Sequence, residues 1–267
     1  MADKGIMSGK RGLIMGVAND HSIAWGIAKT VADHGAELAF TYQGDAIGKR
    51  VQPLAEQVGA DIVVPCDVSD DASLDAVFDA VKKEWGTLDF LVHAIAFSDK
   101  SELKGRYLNT TRKNFHLTMD ISCFSFTDIS RRAAEIMPNG GSLITLSYSG
   151  AERVTPNYNV MGVAKAALEA SVRYLAVDLG KDNIRVNAIS AGPMRTLAGS
   201  AIADARFMYN WNRKHAALQK NIELDDVGGA GLYLLSDLSQ CVTGEVHHVD
   251  CGYNVVGMPA AANLKDD

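Results

Sequence analysis

Cysteine is sparse in this chain. The four residues Cys66, Cys123, Cys241 and Cys251 are scattered over 267 positions. That is too few for a disulfide scaffold, and no pair has metal-ligand spacing, so no metal site is expected. Buried, reduced thiols in a cytoplasm are the expectation. Long apolar runs are lacking too. Nothing approaches the roughly 20 residues of a membrane span. Met1 to Arg11 holds basic residues without an apolar core, which does not read as a signal peptide. Positive charge is also short. The net charge is −6 and no Lys/Arg block occurs, which argues against nucleic-acid binding.

What is present is an ordinary globular composition, 47% hydrophobic and 22% charged. Short apolar runs alternate with helix-patterned segments. Strands are expected at Leu13–Met15, Glu37–Tyr42, Asp61–Pro65, Phe90–Ile95, Ser142–Leu146, Ile184–Ile189 and Glu245–Asp250. Helices are expected at Ile23–His34, Ala46–Val58, Ser73–Trp85, Phe115–Met137 and Asp225–Leu235, with another after Thr155. This alternation predicts α/β architecture: one doubly wound parallel sheet, Rossmann-like, with helices on both faces. No linker, repeat or low-complexity tract divides it, so residues 1–267 read as a single dinucleotide-binding domain. Met258 to Asp267 reads as a frayed tail.

The stretch Ser147 to Lys165 carries the most chemistry. It follows a strand and enters a helix, with Thr155 as expected N-cap and Pro156 at the first helical position. Tyr158 and Lys165 are seven residues apart. Two helical turns take about 7.2 residues, so both side chains leave one face, roughly 10 Å apart along the axis. A phenol and an ammonium so aligned can serve one elongated site.

A Tyr and a Lys on a helix after a strand ending in Ser resembles the short-chain dehydrogenase/reductase superfamily. Most members space the pair Tyr-x3-Lys. The Tyr-x6-Lys spacing with Tyr148 upstream, in Leu-Ser-Tyr-Ser-Gly-Ala-Glu-Arg-Val-Thr-Pro-Asn-Tyr-Asn-Val-Met-Gly-Val-Ala-Lys, resembles the enoyl-acyl-carrier-protein reductase branch. The likeness runs from about Gly12 to Tyr253, where Val249-Asp-Cys-Gly-Tyr253 resembles the superfamily's Asp-Gly-Gly end motif with Cys251 in place of the first glycine.

Ligands of such sheets bind beyond the carboxyl ends of the strands, and the other motifs fall there. In Gly16-Val-Ala-Asn-Asp-His-Ser-Ile-Ala-Trp-Gly26, Gly16 permits a tight turn. The helix starting near Ser22 and Ile23 offers N–H groups to a pyrophosphate, with Ser22 expected to cap it. This is not the usual G-x-G-x-x-G, and it also reads as an ordinary β–α turn. Its Ser-Ile-Ala, however, matches the enoyl reductases. At the second strand tip, Gln43 can bond a ribose but offers no cation to a 2′-phosphate. Lys49 and Arg50 lie further on, where a solvated helix face accounts for them. NADH is therefore preferred to NADPH. Asp67 alone would be a turn or cap residue; the resemblance places Asp67 and Val68 at the adenine.

The resemblance further implies that Ile95 lines the cofactor and that Phe97 and Ser98 stand at the mouth of an acyl pocket. His93, within an apolar strand, reads instead as a hydrogen-bonded core histidine. Gly192-Pro193 exposes backbone for the nicotinamide carboxamide, with Met194 and Thr196 also at the cofactor. Residues Leu197 to Phe207 (more broadly 196–210) read as a lid over a greasy substrate.

The implied reaction reduces a trans-2-enoyl thioester, carried on acyl carrier protein in fatty-acid elongation, with NADH. Tyr158 would bond the developing oxyanion, Lys165 would hold the nicotinamide ribose, and Tyr148 would shape the pocket. The longer spacing suits an acceptor oxygen further from the carbon that takes hydride. Two other readings are a 3-ketoacyl or alcohol dehydrogenase of the same fold, against which the spacing argues, and a non-catalytic dinucleotide-binding regulator, against which the intact Tyr148, Tyr158 and Lys165 set argues. Relatives imply a homotetramer packed through the two long helices.

Overall fold

The computed structural model describes residues 5–197, 199, 204–260 and 263. Its seven strands are β1 (Arg11–Met15), β2 (Glu37–Tyr42), β3 (Ile62–Pro65), β4 (Phe90–His93), β5 (Gly141–Ser147), β6 (Ile184–Ala191) and β7 (Val246–Val249). All pair in parallel, in the order β3-β2-β1-β4-β5-β6-β7. The order reverses between β1 and β4, so their carboxyl ends open the crevice where such sheets bind ligands.

Alternation along the strands builds two cores. Ile14, Phe90, Val92 and Ile144 point to one face and meet Ile27 and Val31 of α1 (Ile23–Asp33), Val51 and Leu54 of α2 (Asp45–Gln57) and Val227 and Leu234 of α8 (Leu224–Leu235). Leu13, Met15, Leu91 and Leu143 point to the other. They meet Leu74 and Val77 of α3 (Asp71–Trp85), Phe126 and Ile129 of α5 (Ser125–Ala134) and Leu168 and Val172 of α6 (Asn159–Gly180). Successive residues point to opposite faces, and nearly continuous apolar strands buried on both faces are what a parallel sheet requires.

The long helix expected at Phe115–Met137 is interrupted. It comprises α4 (Arg112–Met119), a π-helical turn over Asp120–Phe124, and α5. The turn carries an attachment to a neighbouring loop. The Ser122 hydroxyl accepts from the Phe97 N–H (2.9 Å) and donates to the Phe97 carbonyl (3.0 Å), pinning the loop after β4.

Other expectations are corrected. The helix carrying Lys165 does not begin at Pro156; it begins at Asn159, with Tyr158 as its cap residue. Asn157 takes a left-handed φ of 59°, which breaks any helical run from Pro156. Asn159, also at positive φ, donates to the carbonyls of Glu102, Leu103 and Gly105. Strand β4 stops at His93, short of Ile95. Ser22 occupies the cap position of α1 but does not cap it; its hydroxyl accepts from the Ala18 and Asn19 N–H groups instead. All four cysteines are free, but only Cys66 and Cys123 are buried; Cys241 is exposed. Helix α7 (Ala205–His215) takes up the end of the expected lid, of which residues 198 and 200–203 lie outside the described residues. Among the described residues no helix is long and apolar enough to cross a membrane.

Candidate active site

Strand β5 and helix α6 bring the three expected residues together. The Lys165 ammonium, buried, donates to the Leu146 carbonyl at 2.7 Å. Two residues on, Tyr148 leaves the strand end, and its ring meets that of Tyr158 edge to face, centroids 5.2 Å apart at 71°. Tyr158 is only 7% exposed. Gly150 makes this packing possible, since a Cβ there would stand 2.4 Å from the Tyr158 ring.

Electrostatics follow from burial. Desolvation, followed by the fields of Tyr148 and Glu169, holds the Tyr158 phenol far above its ordinary range, so it stays protonated and keeps an O–H to donate. Burial also raises the Tyr148 phenol. The same effect lowers the Lys165 ammonium to about 8, against weaker upward pulls from Cys123 and Glu169.

The Tyr148 ring also forms a wall of a cleft of about 310 Å³, with Phe207, Met208, Trp211, Asn212 and Tyr253 among its other walls. Tyr158 lies behind Tyr148 rather than on that wall. The α7 contribution escaped the sequence reading, although a signal was there. Phe207, Trp211 and His215 recur every four residues and stack at 5.7 and 4.0 Å. Trp211 donates to the Tyr253 hydroxyl at 3.2 Å, tying the helix to the chain's end motif.

The remaining expected residues line the strand ends. Gly16 has φ 105°, and a Cβ there would lie 2.2 Å from the Ala94 carbonyl oxygen, so the ends of β1 and β4 close on each other as only glycine allows. Because Ser22 does not cap α1, the first-turn N–H groups beginning at Ile23 keep no acceptor from that side chain. Gln43 donates to Asp67 at 3.1 Å, bridging the tips of β2 and β3. Hydrogen bonds from Ser69, with a smaller one from Gln43, hold the Asp67 carboxyl below its usual range. Val68 and Ile95 are half-buried beside the α3–α6 core.

Met194 packs on the opposite core, and the Thr196 hydroxyl accepts from the Gly199 N–H at 2.9 Å. Phe97 is 50% exposed. Ser98 is buried, its hydroxyl bonded to Thr118 and Asn114 at 2.9 and 3.2 Å, so what this loop offers a ligand is backbone and the Phe97 ring.

His93 is fully buried, 2.9 Å from both Thr145 Oγ1 and Ser125 Oγ. Desolvation, with Lys165 nearby, lowers it to about 3. It is the core histidine expected. Glu169, one turn beyond Lys165, escaped notice. It is buried and bonded to the Ser147 hydroxyl.

Comparison with known proteins identifies the family. The family model described as enoyl-(acyl carrier protein) reductase matches residues 16–254. The chain is 66% identical to enoyl-[acyl-carrier-protein] reductase [NADH] 2 of Rhizobium meliloti (strain 1021), over 98% of this chain and 97% of that protein. Among solved structures it resembles the Anaplasma phagocytophilum enoyl-(acyl-carrier-protein) reductase in complex with NAD, at TM-score 0.94 and 61% identity, covering 98% and 100% of the two chains. It also resembles the Bacillus cereus enoyl-acyl carrier protein reductase with NADP+ and an indole naphthyridinone, at TM-score 0.93 and 46% identity over 95% and 100%. With almost the whole chain matched at these identities, it belongs to the enoyl-acyl-carrier-protein reductase family.

Proposed function

We propose that this protein reduces trans-2-enoyl thioesters carried on acyl carrier protein, using NADH, in fatty-acid elongation. The observation that carries the reading is the convergence of Tyr148, Tyr158 and Lys165 at the carboxyl end of β5, beside the crevice of the sheet. The groups along the strand ends fit a dinucleotide. Gly16 and the first turn of α1 suit a pyrophosphate, Gln43 and Asp67 suit the adenosine, and the Lys165 ammonium suits ribose hydroxyls. Bound NADH supplies the hydride.

The chain's own residues do the rest. Tyr158, kept protonated by burial, donates a hydrogen bond to the thioester oxygen as negative charge gathers there. Lys165 holds the cofactor and adds positive charge. Tyr148 and the α7 residues Phe207 and Trp211 supply an apolar wall for the acyl chain. The deciding experiment follows NADH oxidation by the purified protein with enoyl and with ketoacyl thioesters. Turnover of the enoyl substrate alone supports the reading. Turnover of the ketoacyl substrate alone would make it a ketoreductase, and NADH binding without turnover a regulator.

We further infer a homotetramer in the cytoplasm, each subunit one reductase domain with a lid near residues 196–210. Tyr174 and Val177 on α6 are 77% and 80% exposed, and Phe124 on the π turn is 58% exposed, so both long helices carry apolar surface. Light scattering of the purified protein reads the mass directly.

A further inference from the structure

Two consecutive residues of β5 are fastened to two consecutive turns of α6. Leu146 accepts from Lys165 through its carbonyl, and Ser147 bonds Glu169 through its hydroxyl. Tyr148 follows at once. Glu169 is 8% exposed and Ser147 is 5% exposed, so neither group has water as a ready substitute. Glu169 is therefore not a solvated helix residue that happens to face inward. Burying a carboxyl is costly unless it is bonded, and here its bond goes to the residue lying between the Lys165 acceptor and the candidate pocket tyrosine. Glu152, His248 and Arg173 are charged groups whose fields reach it, and its own field reaches Lys165.

We propose that Glu169, acting through Ser147, is a positioning residue that sets the register between the end of β5 and α6, and so holds Lys165 and Tyr148 at the places from which they serve the reaction. The inference rests on the enoyl reductase reading, for which wild-type turnover is the control. A displaced β5 end would carry the Leu146 carbonyl away from Lys165 and shift the Tyr148 ring across Tyr158. Both cofactor binding and the chemical step would then suffer, although Glu169 touches neither reactant.

The test is a double-mutant cycle on the full-length protein, read by NADH fluorescence titration and by steady-state kinetics with an enoyl thioester. Glu169→Ala and Ser147→Ala should each lower kcat/KM by about tenfold or more and weaken NADH binding. The double variant should be no worse than the poorer single one, since both remove the same link. Glu169→Gln, which can still accept from the Ser147 hydroxyl, should recover most of the activity. Thermal melts report folding separately, and Ser147→Ala, a smaller excision, covers the case in which Glu169→Ala fails to fold. Lower melting temperature with unchanged NADH affinity and unchanged kcat/KM would overturn the proposal, as would multiplicative losses in the double variant.

Discussion

The rings of Tyr148 and Tyr158 stand edge to face at 5.2 Å, with Tyr148 on the cleft and Tyr158 behind it. Two phenols in contact thus have different duties. Tyr158→Phe should cost about a hundredfold in kcat, the scale of a lost oxyanion donor, with NADH affinity intact. Tyr148→Phe keeps the wall and should cost less than about tenfold. Steady-state kinetics on the two variants check the order, and the reverse order would exchange the roles.

Lys165→Met should leave the fold intact, weaken NADH binding and lower turnover by at least about a hundredfold. The wild-type lysine also carries a pH signature. Its charge is lost from the free enzyme as pH rises through about 8, so NADH affinity should fall over that range and the variant should show no such fall. For stability the sign is opposite. Between about 8 and the ordinary 10.5 the unfolded chain holds a proton that the folded chain has released, so stability from this group rises with pH across that window. Fluorescence titrations at a series of pH values test the binding half.

His93 supplies a contrasting case. With its folded value depressed to about 3 from 6.5, it contributes stability that is present above the ordinary value and lost as pH falls towards the depressed one. His93→Leu should lose about 1–3 kcal/mol at neutral pH, because the Thr145 and Ser125 hydroxyls lose a buried partner. It should also flatten the acid limb of the stability curve. Denaturant melts from neutral to acid pH measure both. A limb near pH 6.5 in kcat that disappears in the variant would instead assign His93 to the chemistry.

Gln43 is tied to Asp67 and brings no positive charge to the tip of β2. NADH should therefore be preferred over NADPH by about tenfold or more in kcat/KM, or ~1.4 kcal/mol. The Bacillus cereus structure that this chain resembles holds NADP+, which makes the comparison informative. Equal efficiencies would mean that Lys49 or Arg50, both exposed on α2, reaches the 2′-phosphate.

Carrier recognition should fall on α7. Arg206 and Arg213 are exposed and two turns apart, while Phe207, Trp211 and His215 stack along the helix. Arg195 is held over the Tyr209 ring at 4.7 Å. An acidic carrier needs such a local cationic face, because the chain as a whole carries −6. Arg206→Glu should raise KM for the carrier-bound substrate and spare a short enoyl-CoA, and the wild-type KM for the carrier should rise with salt. Equal losses with both substrates would move Arg206 from docking to support of the cleft.

The sheet was legible because short, nearly continuous apolar runs between helix-patterned segments admit few other architectures. Tyr148, Tyr158 and Lys165 were legible because their chemistry is carried by one short stretch. What escaped depends on contacts distant in sequence. Asn159 bonds carbonyls more than fifty residues upstream, and this displaced the helix start from the locally plausible Pro156. Ser22 looked like a cap and bonded its own loop. Helix α7 hid behind residues of middling helix propensity, its aromatic ladder visible only once the spacing is sought. Glu169 looked like any charged helix residue until the strand that buries it was in place.

The π turn at Asp120–Phe124 acts as a reading-frame device. A turn closed by i→i+5 bonds holds one residue more than a regular one, so the faces of α4 and α5 are out of phase by about 100°. That single extra residue lets Ser122 face the Phe97 loop while Phe126, Ile129 and Ala133 still face the core. Deleting one residue between Asp120 and Phe124 would restore an even helix, and one of the two attachments would have to be surrendered.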